Sequence, residues 1–97
     1  MQITGVRLKN AATGEKQEIV CDGIFVSVGR EPETRMIENQ VALDENGYII
    51  ADESTKTNLP GVFAVGDIRT KALRQIVTAT ADGANAAYAV EEYLANK

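Results

Sequence analysis

Apolar and polar residues alternate imperfectly over residues 2–9, with Ile3, Val6 and Leu8 set against Thr4, Arg7 and Lys9. That is the pattern of a strand with one wet face. Asn10 to Lys16 has turn composition, Ala12-Thr13-Gly14-Glu15, and Gln17 to Cys21 resumes strand character. The two runs predict a β-hairpin. A lone hairpin is marginal in water, so this one needs a surface to lean on. Asp22-Gly23 then turns the chain into Ile24-Phe25-Val26-Ser27-Val28-Gly29, apolar on both faces. Such a run predicts a strand covered on both sides, as in a parallel sheet. Arg30-Glu31-Pro32-Glu33-Thr34 is charged, contains Pro and suits a linker or crossover, which places a boundary at Gly29/Arg30.

Beyond that boundary, residues 34–40 predict a short helix with Thr34 as N-cap and Met36 and Ile37 facing inward. Asn46-Gly47 is a strong hairpin-turn signal, with Tyr48–Ala51 as the return strand and residues 52–58 as a polar loop. Leu59-Pro60-Gly61 reads as a turn, and Val62-Phe63-Ala64-Val65 as a short buried strand. A helix follows from about Gln75 to Asn96, with seven alanines between positions 79 and 95. Positions 76, 80, 83/84, 87, 90 and 94 give it one face, small in the first half and large in the second. Gly83 inside a helix costs ~1 kcal/mol against Ala, which close packing of backbone or ligand would offset.

Composition narrows the classes. Ninety-seven residues suit one modest domain, burying roughly 65% of the unfolded surface. Hydrophobic residues are 44% and charged residues 25%, an ordinary globular balance. A net charge of −4 with no basic cluster argues against nucleic acid or an anionic membrane as partner. Cys21 is the sole cysteine and there is no His. Internal disulfides, a C-x-x-C pair, zinc sites of usual spacing, and Ser-His or Cys-His catalysis are thereby excluded. Cys21 closes a strand-like run, where a buried or half-buried free thiol is expected, consistent with a reduced cytoplasmic setting. No apolar run reaches the roughly 18–20 residues that span a bilayer, and the first residues carry no signal-peptide pattern.

The glycines stand at 5, 14, 23, 29, 47, 61, 66 and 83, so no two are separated by one residue and G-x-G-x-x-G is absent. Gly61 and Gly66 have phosphate-loop spacing, but Asp67-Ile68 follows where Lys-Ser/Thr is needed. A carboxylate there repels phosphate. Gly66 instead permits close backbone approach at a strand end, and Asp67 projects where open α/β sheets bind ligands. Its carboxylate can accept from a sugar or polyol hydroxyl, or it can cap the next helix or close a turn. Arg74-Gln75 stands at the helix threshold. Arg can pair with a phosphate or carboxylate and Gln offers a donor and an acceptor, or both are solvated side chains of a first turn. The first amides of the helix favour a partial negative charge.

The run P-G-V-F-A-V-G-D-I-R-T-K-A-L-R-Q-I-V-T-A-T-A-D-G-A resembles the C-terminal FAD-binding segment of low-molecular-weight bacterial thioredoxin reductases. G-I-F-V-S-V-G-R-E-P resembles the strand and crossover by which that family returns from its NADPH domain to its FAD domain. Glu33-Thr34 departs from the commoner Pro-Asn-Thr, which changes a local turn. The resemblance covers all 97 residues, but only the final third of a family member.

The fold implied is α/β: the C-terminal part of a three-layer ββα, Rossmann-like FAD domain (residues 30–97), preceded by the closing hairpin and last strand of the NADPH-binding domain (residues 1–29). Residue by residue, the resemblance implies that Asp67 binds the ribityl chain of FAD and Gly66 gives backbone room. It implies that Arg74 and Gln75 contact the cofactor and that the Ile76 amide lies near the flavin's pyrimidine edge. No catalytic residue and no metal ligand is carried over. In the parent, hydride passes from NADPH to FAD, then to a redox disulfide and to thioredoxin, in a homodimer. The pyrophosphate fingerprint, the NADPH loop and the C-x-x-C pair belong to segments outside this sequence, so a fragment inactive on its own is expected. Two alternatives stand beside this: a related flavoprotein reductase with another acceptor (ferredoxin–NADP reductase-like or peroxiredoxin reductase-like), and a non-catalytic α/β interaction fragment.

Overall fold

In a computed structural model describing residues 1–97, the N-terminal alternation folds into the expected hairpin. Strand β1 (Gly5–Lys9) pairs antiparallel with β2 (Lys16–Val20), Gly5 opposite Val20 and Lys9 opposite Lys16. Asn10 organises the turn: its Oδ1 accepts from the Ala12 and Thr13 amides at 2.9 and 3.1 Å. Gly14 meets the turn with a φ of +74°, the left-handed region that favours glycine. The hairpin packs against neither helical element of the chain, and every residue of β2 is exposed.

The apolar run 24–29 departs from expectation, for it forms no strand. Phe25, Val26 and Val28 are 100%, 79% and 91% exposed. Strand geometry is held by a neighbour that takes the backbone N–H and C=O groups, and this chain offers none there. The radius of gyration, 19.9 Å, exceeds the ~13 Å of a compact chain of this length. The accessible surface is 7908 Å² where an unfolded chain of this mass exposes about 15,000 Å², so folding buries roughly half rather than the expected ~65%.

A small core lies in the second part of the chain: Val41, Ile49, Ala51 and Ala64, with Ile37, Leu43, Leu59 and Ile68 packed on it. Residues 35–40 form successive turns, not the expected helix. Thr34 is buried, but its hydroxyl donates to the Gly47 carbonyl at 2.8 Å instead of capping. Ile37 reaches the core while Met36 is exposed. The Asn46-Gly47 turn is present, with Gly47 at a φ of +86° and the Asp44 amide donating to the Tyr48 carbonyl at 2.8 Å. Its return segment is reduced to single bridges, Leu43 with Ile49 and Ile49 with Arg69. Val62–Val65 is likewise shortened, to one bridge between Lys56 and Phe63, with Ala64 buried but Val62 and Val65 exposed. Val62–Val65 lacks the second neighbour that a buried parallel strand requires, whereas Ile49 has one bridge on each side.

The helix α1 (Ile76–Ala95) matches the expected span. Gln75 is its extended N-cap, and the Gln75 amide donates to Thr78 Oγ1 at 3.0 Å. The face that packs is a correction. Residues 79, 82, 86, 89 and 93 turn inward, one position before the predicted series, which is ~100° around the helix. The predicted face carries Ile76, Val90 and Leu94 and is exposed. Apolar character points to that face, but a buried ion pair and small alanines decide the packing of this chain.

Candidate functional site

A short 3₁₀ turn, Gly66–Ile68, follows the Ala64-Val65 segment and leads toward α1. Gly66 takes a φ of +78° and is buried. Its amide points inward, donating to Asp82 Oδ2 at 2.8 Å. The turn is tied to the core on its other side. The Ile49 amide donates to the Ile68 carbonyl at 2.9 Å, and the Thr70 amide to the Ile49 carbonyl at 2.8 Å.

Behind the turn sits a buried charge cluster. Arg69 Nε and Nη2 donate to Asp82 Oδ2 and Oδ1 at 2.8 and 2.7 Å, and Lys71 Nζ donates to Oδ2 at 2.8 Å. Arg69 Nη1 donates to the Thr70 and Ala51 carbonyls at 2.7 and 3.3 Å, and Nη2 also to Glu53 Oε1 at 2.9 Å. All five N–H donors of a guanidinium thus find acceptors. Arg69 and Asp82 are each 1% exposed. The Arg69 fork holds the Asp82 carboxyl far below the usual carboxylate range, aided by Lys71 and the Gly66 amide against the effect of burial. Asp82 in turn raises the Arg69 guanidinium above its ordinary value. No buried side-chain polar atom is left without a partner, so the cluster meets the condition under which buried charge is tolerated.

On the solvent side, Asp67 and Arg74 line a cleft of about 210 Å³ together with Arg30, Pro32, Tyr48 and Ile68. The Asp67 carboxylate is half exposed and meets Arg30 Nη1 at 3.4 Å. Arg74 braces the turn: Nε donates to the Asp67 carbonyl and Nη2 to the Arg69 carbonyl, each at 3.0 Å. Its guanidinium lies 3.8 Å above the Tyr48 ring, a cation–π stack.

Of the five residues singled out in the sequence, Asp67 and Arg74 therefore share one cleft, and Gly66 lies directly behind it. Gln75 and Ile76 do not line it; they form the helix entrance, where Ile76 is 87% exposed. The Ile76 amide has no backbone acceptor, as expected of a first-turn N–H. A larger open cavity of about 550 Å³, between Leu59–Phe63 and Tyr93, contains none of the five. Sequence reasoning missed Arg69, Lys71, Asp82 and Tyr48. One signal was available: Asp82 is a poor helix former in the interior of an alanine-rich helix, a position that calls for a partner.

Residues 2–83 match the pyridine nucleotide-disulphide oxidoreductase family. The chain belongs to that family of enzymes, whose α/β architecture it shares. Within it, the relatives include several thioredoxin reductases. That of Peptoclostridium litorale is 52% identical over 92 residues, covering 89% of this chain and 29% of the relative. That of Listeria monocytogenes serovar 1/2a is 44% identical over 93 residues, covering 96% and 29%. Among solved structures, Lactococcus lactis thioredoxin reductase in its FR conformation superposes with a TM-score of 0.81 at 42% identity, covering 97% of this chain and 31% of that one. Streptococcus pyogenes thioredoxin reductase gives a TM-score of 0.78 at 40% identity, covering 99% and 31%. The chain thus spans less than a third of the length of these relatives.

Proposed function

We propose that this chain supplies one wall of the FAD site of an NADPH-dependent flavoprotein that reduces thioredoxin, acting as part of a longer, homodimeric polypeptide. Residues 30–97 belong to its FAD domain and residues 1–29 close its NADPH domain. The observation that carries the reading is the Gly66-Asp67 turn, which sets a half-exposed carboxylate at the mouth of a cleft, braced by Arg74 and close in sequence to the start of α1.

The donor set fits FAD. The Asp67 carboxylate is acceptor-only when ionised and suits ribityl hydroxyls; Arg30, its present partner, is an exposed and weakly held ion. Gly66 keeps its side of the turn free of a side chain. The Ile76 amide and the helix start offer N–H groups to a partial negative charge on the ring system. Gln75 holds the helix entrance. Arg74 contributes by fixing the Asp67 carbonyl, since two of its nitrogens are committed to backbone. FAD, when bound, supplies the hydride-accepting chemistry.

The test is flavin absorbance of the purified full-length product. A yellow protein whose Asp67→Ala variant loses flavin on gel filtration supports the reading. A colourless full-length protein overturns it.

A further inference from the structure

We infer that Asp82 is a positioning residue for the flavin site, acting through the Gly66 amide and the Arg69 guanidinium to fix the turn that presents Asp67. The inference rests on the FAD reading above and deepens it. Asp82 grips both ends of the four-residue segment 66–69: the first through the Gly66 N–H at 2.8 Å, the last through the two-point pair with Arg69 at 2.8 and 2.7 Å. Asp67 lies between these anchors. On the outer side, Arg74 ties the Asp67 and Arg69 carbonyls together at 3.0 Å each. The segment is therefore clamped from within by one carboxylate and from without by one guanidinium.

The clamp is built into the helix register. Asp82 lies on the packed face of α1, three residues after Ala79, whose Cβ is 3.7 Å from where a Cβ on Gly66 would stand. Turning the helix so that Ile76, Val90 and Leu94 packed inward would withdraw the carboxylate from Gly66. Lys71, 4% exposed at its side chain, and Glu53, 81% exposed, bring the cluster to two cations and two carboxylates. A turn held this way loses little freedom when a ligand hydroxyl meets Asp67. Preorganisation of that kind appears as slower ligand release.

The experiment compares FAD dissociation rate and apoprotein melting temperature in the full-length flavoprotein for wild type, Asp82→Asn and Val41→Ala. Val41 lies in the core, is not among the residues lining the cleft and makes no hydrogen bond to the charge cluster, so it serves as the control for lost stability. The expected result is FAD release about tenfold faster in Asp82→Asn, the scale of one charge-assisted hydrogen bond, with Val41→Ala near wild type despite a lowered melting temperature. If Asp82→Asn does not fold, Arg69→Met/Asp82→Ala removes both charges of the pair and leaves the Gly66 amide without its acceptor; the same acceleration is expected. Release unchanged in the Asp82 variant, or accelerated in both variants in proportion to melting temperature, overturns the inference while leaving the FAD reading intact. A wild type that binds no FAD overturns both.

Discussion

Asp82 and Arg69 form a two-point ion pair, with contacts of 2.8 and 2.7 Å, that joins the middle of α1 to the end of the 3₁₀ turn across thirteen residues of sequence. Two ions so removed from water are held only when every donor and acceptor is matched, and here the matching extends to Lys71, Glu53 and the Gly66 amide. The pair therefore acts as a register pin. It selects which face of an alanine-rich helix packs, where apolar area alone favours another.

Breaking the pair from one side strands a buried guanidinium. Asp82→Asn is expected to cost about 3 kcal/mol of unfolding free energy at neutral pH. The dependence on pH has a definite sign. The folded Asp82 carboxyl titrates below its unfolded value of 3.8, so its contribution is complete above that value and is lost as pH falls through the folded pKa. Urea titrations should give a gap between wild type and Asp82→Asn that is constant from about pH 5 to 8 and narrows below about pH 4. A gap that widens on acidification would contradict the assignment.

Asp67 should behave in the opposite way. Its side chain is 50% exposed and its partner Arg30 is 73% exposed at 3.4 Å, and exposed pairs contribute about 0–1 kcal/mol. Asp67→Ala is expected to shift the urea midpoint hardly at all while weakening FAD retention in the full-length protein. A large loss of stability without any change in retention would place Asp67 in the fold and remove it from the site.

The contrast between these two aspartates shows what the sequence makes legible. Gly66-Asp67 is readable because glycine and a turn-forming carboxylate mark a strand end, and the helix span is readable because alanine runs and spacing mark it. Asp82 and Arg69 are not readable as a pair, since no local rule links residues thirteen positions apart. The packed face of the helix is not readable for a related reason: Ile76, Val90 and Leu94 signal burial, yet they are exposed within these 97 residues. The same holds for Ile24–Val28 and Val62–Val65, whose apolar pattern specifies buried strands, while the first run pairs with no strand and the second makes a single bridge, to Lys56.

Gly61 offers a test of local strain. It takes a φ of +80°, and a Cβ there would lie 3.1 Å from the Tyr93 ring, which packs edge-on against Phe63 at 6.3 Å. Gly61→Ala is expected to cost about 1–2 kcal/mol from the left-handed backbone, plus a displaced Tyr93. Gly47→Ala shares the positive φ, at +86°, but meets its neighbours at 3.5 Å or more, so it should cost only the ~1–2 kcal/mol of the backbone. Equal losses in the two variants, measured by urea denaturation, would mean that Tyr93 yields freely.

The exposed run 24–28 predicts how the 97-residue chain behaves by itself. Phe25 at 100% and Val28 at 91% exposure lie within three residues of each other in a segment that forms no strand or helix. Unpaired backbone beside apolar side chains is a template for pairing with another copy. The chain is expected to self-associate with rising concentration in sedimentation velocity. Phe25→Ser/Val28→Ser should reduce that association without altering α1, because neither residue contributes to the core of Val41, Ile49, Ala51 and Ala64. Association that persists unchanged in the double variant would shift the responsible surface to the exposed face of α1, where Ile76, Val90 and Leu94 are the next residues to replace.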